Sequence, residues 1–294
     1  MNPWIEAIRL RTLPASIAGV IGGSACAIFY DSFKWLPALC CMLFALGAQI
    51  AANFANEYFD FRNGIDKKGR EGFRRGVTEG DISPAAMLRA VIITLIISAI
   101  PGCALVIWGG WQMIPIGIII AIFALAYSTG PYPLSRKGLG DIAVLIFFGL
   151  VPVILTAWLQ NHSSSMLIIT IPVGIGIGLL AVNILIVNNY RDYESDRTVG
   201  KKTTVVIFGR RTMSGAYLIS AIIGCLLLCT PACIFGWEYI LPAVMIPSAV
   251  KNWRLLKSSE GKALNDLLRR TGIVLLKASL LLLLESIVFI LIHS

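Results

Sequence analysis

Two stretches of the chain bring together side chains that can do joint chemistry. In the first, AQIAANFANEYFDFRNGIDKKGR, the residues Gln49, Asn53, Asn56 and Asp60 follow at intervals of four, three and four. A helix stacks residues at that spacing on one face, so the pattern predicts a polar stripe. Glu57 stands beside the stripe, and Asp66 follows beyond Gly64. In the second, VNNYRDYESDRTVGKKT, Asn188, Asp192 and Asp196 recur every four residues, which predicts one side of a helix that continues past Asp192. Asn189 lies nearby on the helical wheel, whereas Asn183 points the other way. Each stretch therefore offers an Asn, an Asp four residues later, and another Asp four or six residues beyond that.

Such clusters are costly alone. Carboxylates at helix C-termini oppose the macrodipole, and two clusters facing each other in a low dielectric repel strongly. Oxygen donors without His or Cys suit Mg2+, which takes one or two carboxylates, several waters and the oxygens of a bound phosphate. The same stretches and their loops carry Arg62, Lys67, Lys68, Arg70, Arg74, Arg75, Arg191, Arg197, Lys201 and Lys202, which can balance the rest of a diphosphate. The expectation is a diphosphate bridged by Mg2+. Ordinary interfacial ion pairing would account for either stretch alone. Its repetition on two helices, with Asn in the same relative place, argues against that simpler account.

The elements that must position these groups follow from composition. The 294 residues are 57% hydrophobic and 14% charged, with mean hydropathy +0.79. A soluble domain carries about 25% charged residues, so this is an integral membrane protein. Apolar segments at 13–30, 36–59, 85–107, 112–129, 141–160, 166–189, 212–234, 238–250 and 271–292 predict an all-α bundle of nine transmembrane helices, the eighth being the shortest. They form a single domain over residues 1–294, because the loops are long enough for a cap but not for a separate soluble unit.

The loops alternate in charge. Of the 25 Lys and Arg, only Lys34 lies in the short connections 31–35, 108–111, 161–165 and 235–237. The others lie in the N-terminal segment, in loops 60–84, 130–140, 190–211 and 251–270, or, as Arg89 and Lys277, just inside the helices that follow. The positive-inside rule makes that face cytoplasmic, with the N-terminus inside and the C-terminus outside. Both acid-bearing helices then end at the cytoplasmic face, so the site faces the cytoplasm from a multi-pass position in the plasma (inner) membrane. The net charge of +9 follows from this topology and needs no nucleic acid.

Other chemistries find little support. The seven cysteines fall in or at the ends of apolar runs, where a thiol packs as a small hydrophobe. Cys225, Cys229 and Cys233 share a helix face, but no His, Asp or Glu joins them, so packing is preferred to a metal or redox site. His162 and His293 are the only histidines, which argues against a histidine-ligated metal. The opening MNPWIEAIRLRT is amphipathic and charged, with no cleavable signal peptide apparent. A diphosphate handled by an apolar bundle implies a lipid tail. Each buried CH2 contributes about 0.8 kcal/mol, so a polyprenyl chain partitions into the bilayer and enters sideways. Allylic diphosphates ionise when metal and cations stabilise the leaving group, and the carbocation survives only where water is excluded. Tyr58, Phe59, Tyr127, Phe147 and Phe148 offer aromatic faces to such a cation, although each also serves as membrane packing.

Four segments carry a resemblance that covers nearly the whole chain: WIEAIRLRTLPAS at 4–16, NEYFDFRNGID at 56–66, YSTGPYPLSRKGLGD at 127–141 and NNYRDYESDRTVGKKT at 188–203. They resemble the opening, first Asp-rich motif, central loop and second Asp-rich motif of the UbiA superfamily of intramembrane aromatic prenyltransferases. The opening and NNYRDYESD are most similar to its MenA branch, the 1,4-dihydroxy-2-naphthoate polyprenyltransferases. The resemblance implies a bundle around a central cavity, capped by loops 60–84, 130–140 and 190–211, with Mg2+ as cofactor bridging the two motifs. By position, Asn56, Glu57, Asp60, Asp66, Asp192 and Asp196 match metal positions, with Asp60, Asp192 and Asp196 catalytic. Glu57 stands where the family usually has Asp, which moves the charge by one methylene. Asn53, Arg62, Arg75, Asn188 and Lys201 are the implied diphosphate contacts, and Arg9, Arg11 and Tyr127 the implied acceptor contacts.

The implied partners are polyprenyl diphosphate, an aromatic carboxylate and membrane lipid, with no protein partner. The implied reaction is attack on the ionised chain by the naphthoate carbon that bears the carboxylate, with loss of CO2 and diphosphate, giving demethylmenaquinol. No general base stands out, and Asp141 is either a helper or a helix cap. Two alternatives remain at this point: another acceptor such as 4-hydroxybenzoate, and a secondary transporter. Transporters place polar groups near the midplane on interrupted helices, whereas these acids cluster at one face. Glu285 is the chief deep charge, with no function assigned.

Overall fold

The structure, a computed structural model, describes residues 2–66, 68–69 and 72–293. The regular structure among the described residues is helical, with no β-strand beyond an isolated bridge between Lys137 and Lys202. In chain order the helices are α1 (Pro3–Ile8), α2 (Leu13–Phe29), α3 (Trp35–Arg62), α4 (Gly76–Glu79), α5 (Pro84–Ala104), α6 (Val106–Gly109), α7 (Met113–Ala126) and α8 (Gly140–Val144). A π-helical segment (Leu145–Leu150) joins α8 to α9 (Val151–Trp158). Then come α10 (Leu167–Arg191), α11 (Tyr193–Thr198), α12 (Thr204–Leu227), α13 (Ala232–Phe235), α14 (Ile246–Ser258) and α15 (Leu264–His293).

Among the described residues, six helical stretches are long and apolar enough to cross a membrane: Trp35–Arg62, Pro84–Gly109, Gly140–Trp158, Ser164–Arg191, Thr204–Phe235 and Gly261–His293. Leu13–Phe29 and Met113–Ala126 are apolar but shorter. Local chemistry explains several starts. Ser83 accepts a hydrogen bond from the Ala86 amide, with Pro84 directly after it, so α5 begins with a side-chain cap and a residue that lacks the orphan donor. Thr203 caps α12 in the same way through the Val206 amide. The apolar stretch 238–250 differs from one continuous helix. It begins as a 3-10 turn, Leu241–Met245, and only then becomes α14.

α10 is the most deeply buried of the six long stretches and packs against α2, α12, α15 and the π-helical segment. Small residues permit that approach. A Cβ on Gly149 would stand 2.3 Å from the Gly174 carbonyl oxygen and 2.6 Å from the Gly178 Cα, so the two backbones touch. The outer face of α5, by contrast, leaves Ile96, Ile97 and Ile100 exposed, as a lipid-facing surface requires. At the end of the bundle away from the acid stretches, Phe29, Phe235, Tyr239 and Phe289 pack ring on ring. There the buried Glu285 accepts a hydrogen bond from the Leu241 amide, which gives this deep charge a capping role.

Candidate active site

A cavity of about 590 Å³ runs through the bundle between α2, α3, α5, α7, α9 and α10. Its mouth carries Asn56, Asp60 and Asp66 of the first stretch and Asn188, Asp196 and Lys201 of the second. Its depth is apolar, lined by residues such as Phe44, Leu95, Ile116, Val151 and Leu159. The two acid-bearing stretches therefore open on the same space, and the polar groups gather at one end of it.

α3 remains helical to Arg62, so Gln49, Asn53, Asn56 and Asp60 all reach the cavity wall as one stripe. Asn56 is the hub. Its carbonyl oxygen accepts from the guanidinium groups of Arg9 and Arg75, the latter at 3.2 Å. Its amide nitrogen donates to Asp60 and to the Ser128 hydroxyl, both at 3.1 Å. Cations on the oxygen side and a carboxylate on the nitrogen side leave one sensible orientation for the amide. Arg9 reaches it because the chain turns through a left-handed conformation there, φ +57°, at the end of α1. Asn53 instead donates to the Ile8 carbonyl at 2.9 Å and so ties α1 to α3.

The other oxygen of Asp60 lies 3.3 Å from Arg136, whose guanidinium also donates to the Ser128 carbonyl at 2.9 Å. The Arg136 carbonyl in turn accepts from the Lys202 amide at 3.0 Å. Arg136 thus links the first stretch, the central loop and the second stretch.

The second stretch departs from the predicted continuous helix. α10 ends at Arg191, Asp192 adopts φ −88° and ψ 9°, and α11 begins at Tyr193. That break turns the Asp192 carboxylate to Arg191, which grips it with two hydrogen bonds of 2.8 Å. Arg191 also donates to Asn188 at 2.7 Å and Asn265 at 2.8 Å, and its guanidinium lies 5.3 Å from the Phe73 ring centre. Asp192 is buried and does not form part of the cavity wall, whereas Asn188 and Asp196 do. Asp196 pairs with Lys201 at 3.4 Å, and the Lys201 amide donates to the Asp196 carbonyl.

The remaining sequence-derived positions divide between wall and surroundings. Arg9, Arg75, Asn53 and Tyr127 line the cavity. Glu57 is buried away from it and accepts the Val77 amide at 3.0 Å. Arg62 is exposed just past the stripe, and Arg11 is also exposed, with its guanidinium 4.4 Å from the Phe73 ring centre. Lys67 and Arg70 lie outside the described residues. Asp141 sits in the first turn of α8, one residue past Gly140, so it is not the cap, which is Leu139. Tyr127 lines the same cavity as Arg9, Asp60 and Asp196, so its phenol shares a wall with groups of both stretches. Arg136, Ser128, Phe73 and Asn265 join the site without a spacing signal, although the first two sit in the central loop and Phe73 in the capping loop 60–84.

The donor chemistry fits Mg2+. Asn56, Asp60, Asp66 and Asp196 supply hard oxygens around one mouth. No group of three or more His, Cys, Asp and Glu among the described residues forms a ready-made cage. Mg2+ is held by one or two carboxylates, with water and substrate phosphate completing the octahedron, so a shared mouth suits it better than a cage.

The profile of the UbiA prenyltransferase family matches residues 16–278, most of the chain. This chain belongs to the UbiA prenyltransferase family. It is 35% identical over 281 residues to a 1,4-dihydroxy-2-naphthoate octaprenyltransferase of Escherichia coli K12, covering 91% of this chain and 89% of the relative. It is 33% identical over 262 residues to the enzyme of that name from Haemophilus influenzae Rd, covering 86% and 84%. Among solved structures, a UbiA homologue from Archaeoglobus fulgidus bound to GPP and Mg2+ superposes with TM-score 0.70 at 17% identity, covering 98% of this chain and 99% of that one. The UbiA fold therefore holds across the bundle.

Proposed function

We propose that this UbiA family member transfers a polyprenyl group from polyprenyl diphosphate to 1,4-dihydroxy-2-naphthoate, releasing diphosphate and CO2 and giving demethylmenaquinol for menaquinone synthesis. One observation carries the chemistry: a single cavity with acid, amide and guanidinium groups at its mouth and apolar walls below. The acceptor assignment draws on the relatives named for 1,4-dihydroxy-2-naphthoate. The metal and donor assignments draw support from the homologue solved with GPP and Mg2+.

In this reading the tail lies among the apolar walls and its diphosphate meets Arg75, Asn188 and Lys201 at the mouth. Asp60, Asp66 and Asp196, with the Asn56 network beside them, hold Mg2+, which when bound supplies positive charge to the departing diphosphate. The carbon–oxygen bond of the allylic diphosphate breaks, and the cation forms where water is excluded. Arg9 orients the acceptor carboxylate, and Tyr127 offers its hydroxyl beside it. The ring carbon bearing that carboxylate forms the new carbon–carbon bond, and loss of CO2 restores aromaticity. Because CO2 departs where a proton otherwise would, that carbon needs no general base, which explains why none stands out. Asp192 acts through Arg191, holding it in the cavity wall.

The chain works as one membrane domain. The six long stretches, the shorter α2 and α7, and the 3-10 turn with α14 make nine crossings, with the mouth at the cytoplasmic face of the plasma membrane. Purified protein in lipid with Mg2+, a polyprenyl diphosphate and a panel of aromatic acids should prenylate the naphthoate and release CO2 in equal amount. Prenylation of 4-hydroxybenzoate but not of the naphthoate overturns the acceptor, and no prenylation of any acid overturns the reaction.

A further inference from the structure

Of the three acids of the first stretch, Asp60 and Asp66 stand on the cavity wall and Glu57 does not. Neighbouring helix residues point about 100° apart, so the turn that aims Asn56 into the cavity aims Glu57 at the segment packed alongside α3. There one carboxylate oxygen accepts the Val77 amide at 3.0 Å, and the other lies 3.9 Å from a terminal nitrogen of Arg75. The side chain is 1% exposed.

Both contacts fall at the start of α4. Arg75 occupies its N-cap position with an extended backbone, and no side chain of its own caps the helix. The first amides of a helix lack intrahelical partners, and an arginine side chain offers no acceptor. Glu57 supplies that acceptor from a different helix. Arg75 is also the residue that this attachment holds in place: one terminal nitrogen donates to Asn56 at 3.2 Å, and its Nε lies 3.2 Å from Asp66.

We propose that Glu57 is a positioning residue, which fastens the start of α4 to α3 so that Arg75 is presented to the diphosphate, and is not itself a metal ligand. The length of the side chain matters here. Removing one methylene withdraws the carboxylate by about 1.5 Å, which stretches the 3.0 Å contact with the Val77 amide beyond hydrogen-bonding distance. Glutamine keeps the reach and an oxygen acceptor but loses the charge opposite Arg75. A positioning role and a ligand role therefore rank the two variants in opposite order.

The inference rests on the polyprenyl diphosphate reading, and the experiment separates the two. Glu57→Gln and Glu57→Asp are compared with wild type in lipid by varying polyprenyl diphosphate and Mg2+ independently. Amide hydrogen exchange is followed across residues 72–82 of the metal-free proteins. For Glu57→Gln, the KM for the diphosphate should rise about threefold. For Glu57→Asp it should rise about tenfold or more, with the Mg2+ activation midpoint unmoved in both. Exchange at Val77 should be faster in Glu57→Asp than in Glu57→Gln. The proposal is overturned if Glu57→Asp behaves as wild type while Glu57→Gln shifts the Mg2+ midpoint, or if exchange at Val77 is the same in all three proteins. An inactive wild type would strike the functional reading instead, and the exchange measurement would still decide whether Glu57 holds α4.

Discussion

At the scale of single residues, the site separates acids on the cavity wall from Asp192, which is buried off that wall with both oxygens held by Arg191. Asp60 sits at the mouth, with its oxygens shared between Asn56 and Arg136. Asp60→Asn keeps the shape and some of the hydrogen bonding but removes the charge. Turnover should fall by about 10² to 10³, the usual loss when one group that stabilises developing charge is removed. Thermal melting in detergent should stay near wild type. Asp192 should behave differently, because both it and Arg191 are buried. Asp192→Ala leaves a buried guanidinium without its counter-charge and should cost about 3 kcal/mol, seen as a clear drop in melting temperature. Equal melting temperatures for the two variants would contradict this division. The stripe from Gln49 to Asp60 was legible because one uninterrupted helix carries it. The orientation of Asp192 was not, because spacing alone does not show that the helix stops at Arg191. Arg136 and Phe73 act across loops, where no periodicity marks a contact.

At the scale of elements, the hydropathy pattern located apolar helices because lipid admits few alternatives to a continuous helix. The expected segment 13–30 appears as Leu13–Phe29, and 166–189 as Leu167–Arg191. The π-helical turn at Leu145–Leu150 left no such mark, since its wider hydrogen-bond ladder depends on what packs beside it. It matters to the site because Phe147 and Phe148 lie within it and line the cavity. The partner on its other side is α10, held close by Gly149, Gly174 and Gly178. A Cβ on Gly178 would stand 2.6 Å from the Leu145 carbonyl oxygen, which is backbone and cannot swing aside. Gly178→Val should therefore push α10 from the π-helical segment at a cost of roughly 1–3 kcal/mol, lowering the melting temperature and turnover together. Gly117, where an added Cβ meets nothing within 4 Å, provides the control. Gly117→Ala should leave melting unchanged, and a matching loss in both variants would refute the close-approach account.

At the scale of the whole molecule, charge and crossing number meet in one prediction. All but one of the 25 Lys and Arg belong with the loops and segments on the cavity-mouth side, so the positive-inside rule predicts that this side is cytoplasmic. The far end of α15 lies at the end of the bundle away from the mouth, beside Phe235 of α13, so the chain must return to the mouth end between α13 and α15. The 3-10 turn Leu241–Met245 and α14, Ile246–Ser258, together extend about 30 Å by the rise of each helix type. That matches the hydrocarbon thickness of a bilayer, although neither piece would span it alone. Lys251, Arg254 and Lys257 crowd the later turns of α14. The positive-inside rule predicts their charged heads at the cytoplasmic surface, within reach of side chains that snorkel. The prediction is an odd number of crossings, with the start of α1 inside and the end of α15 outside. A phosphatase reporter placed after α15 should thus be active outside the membrane, and a fluorescent protein that folds only inside should stay dark there. The opposite pattern would mean that the bundle is inverted, with its mouth outside, because Asn265 at the start of α15 bonds Arg191 at the mouth and Phe289 near its end packs at the far end.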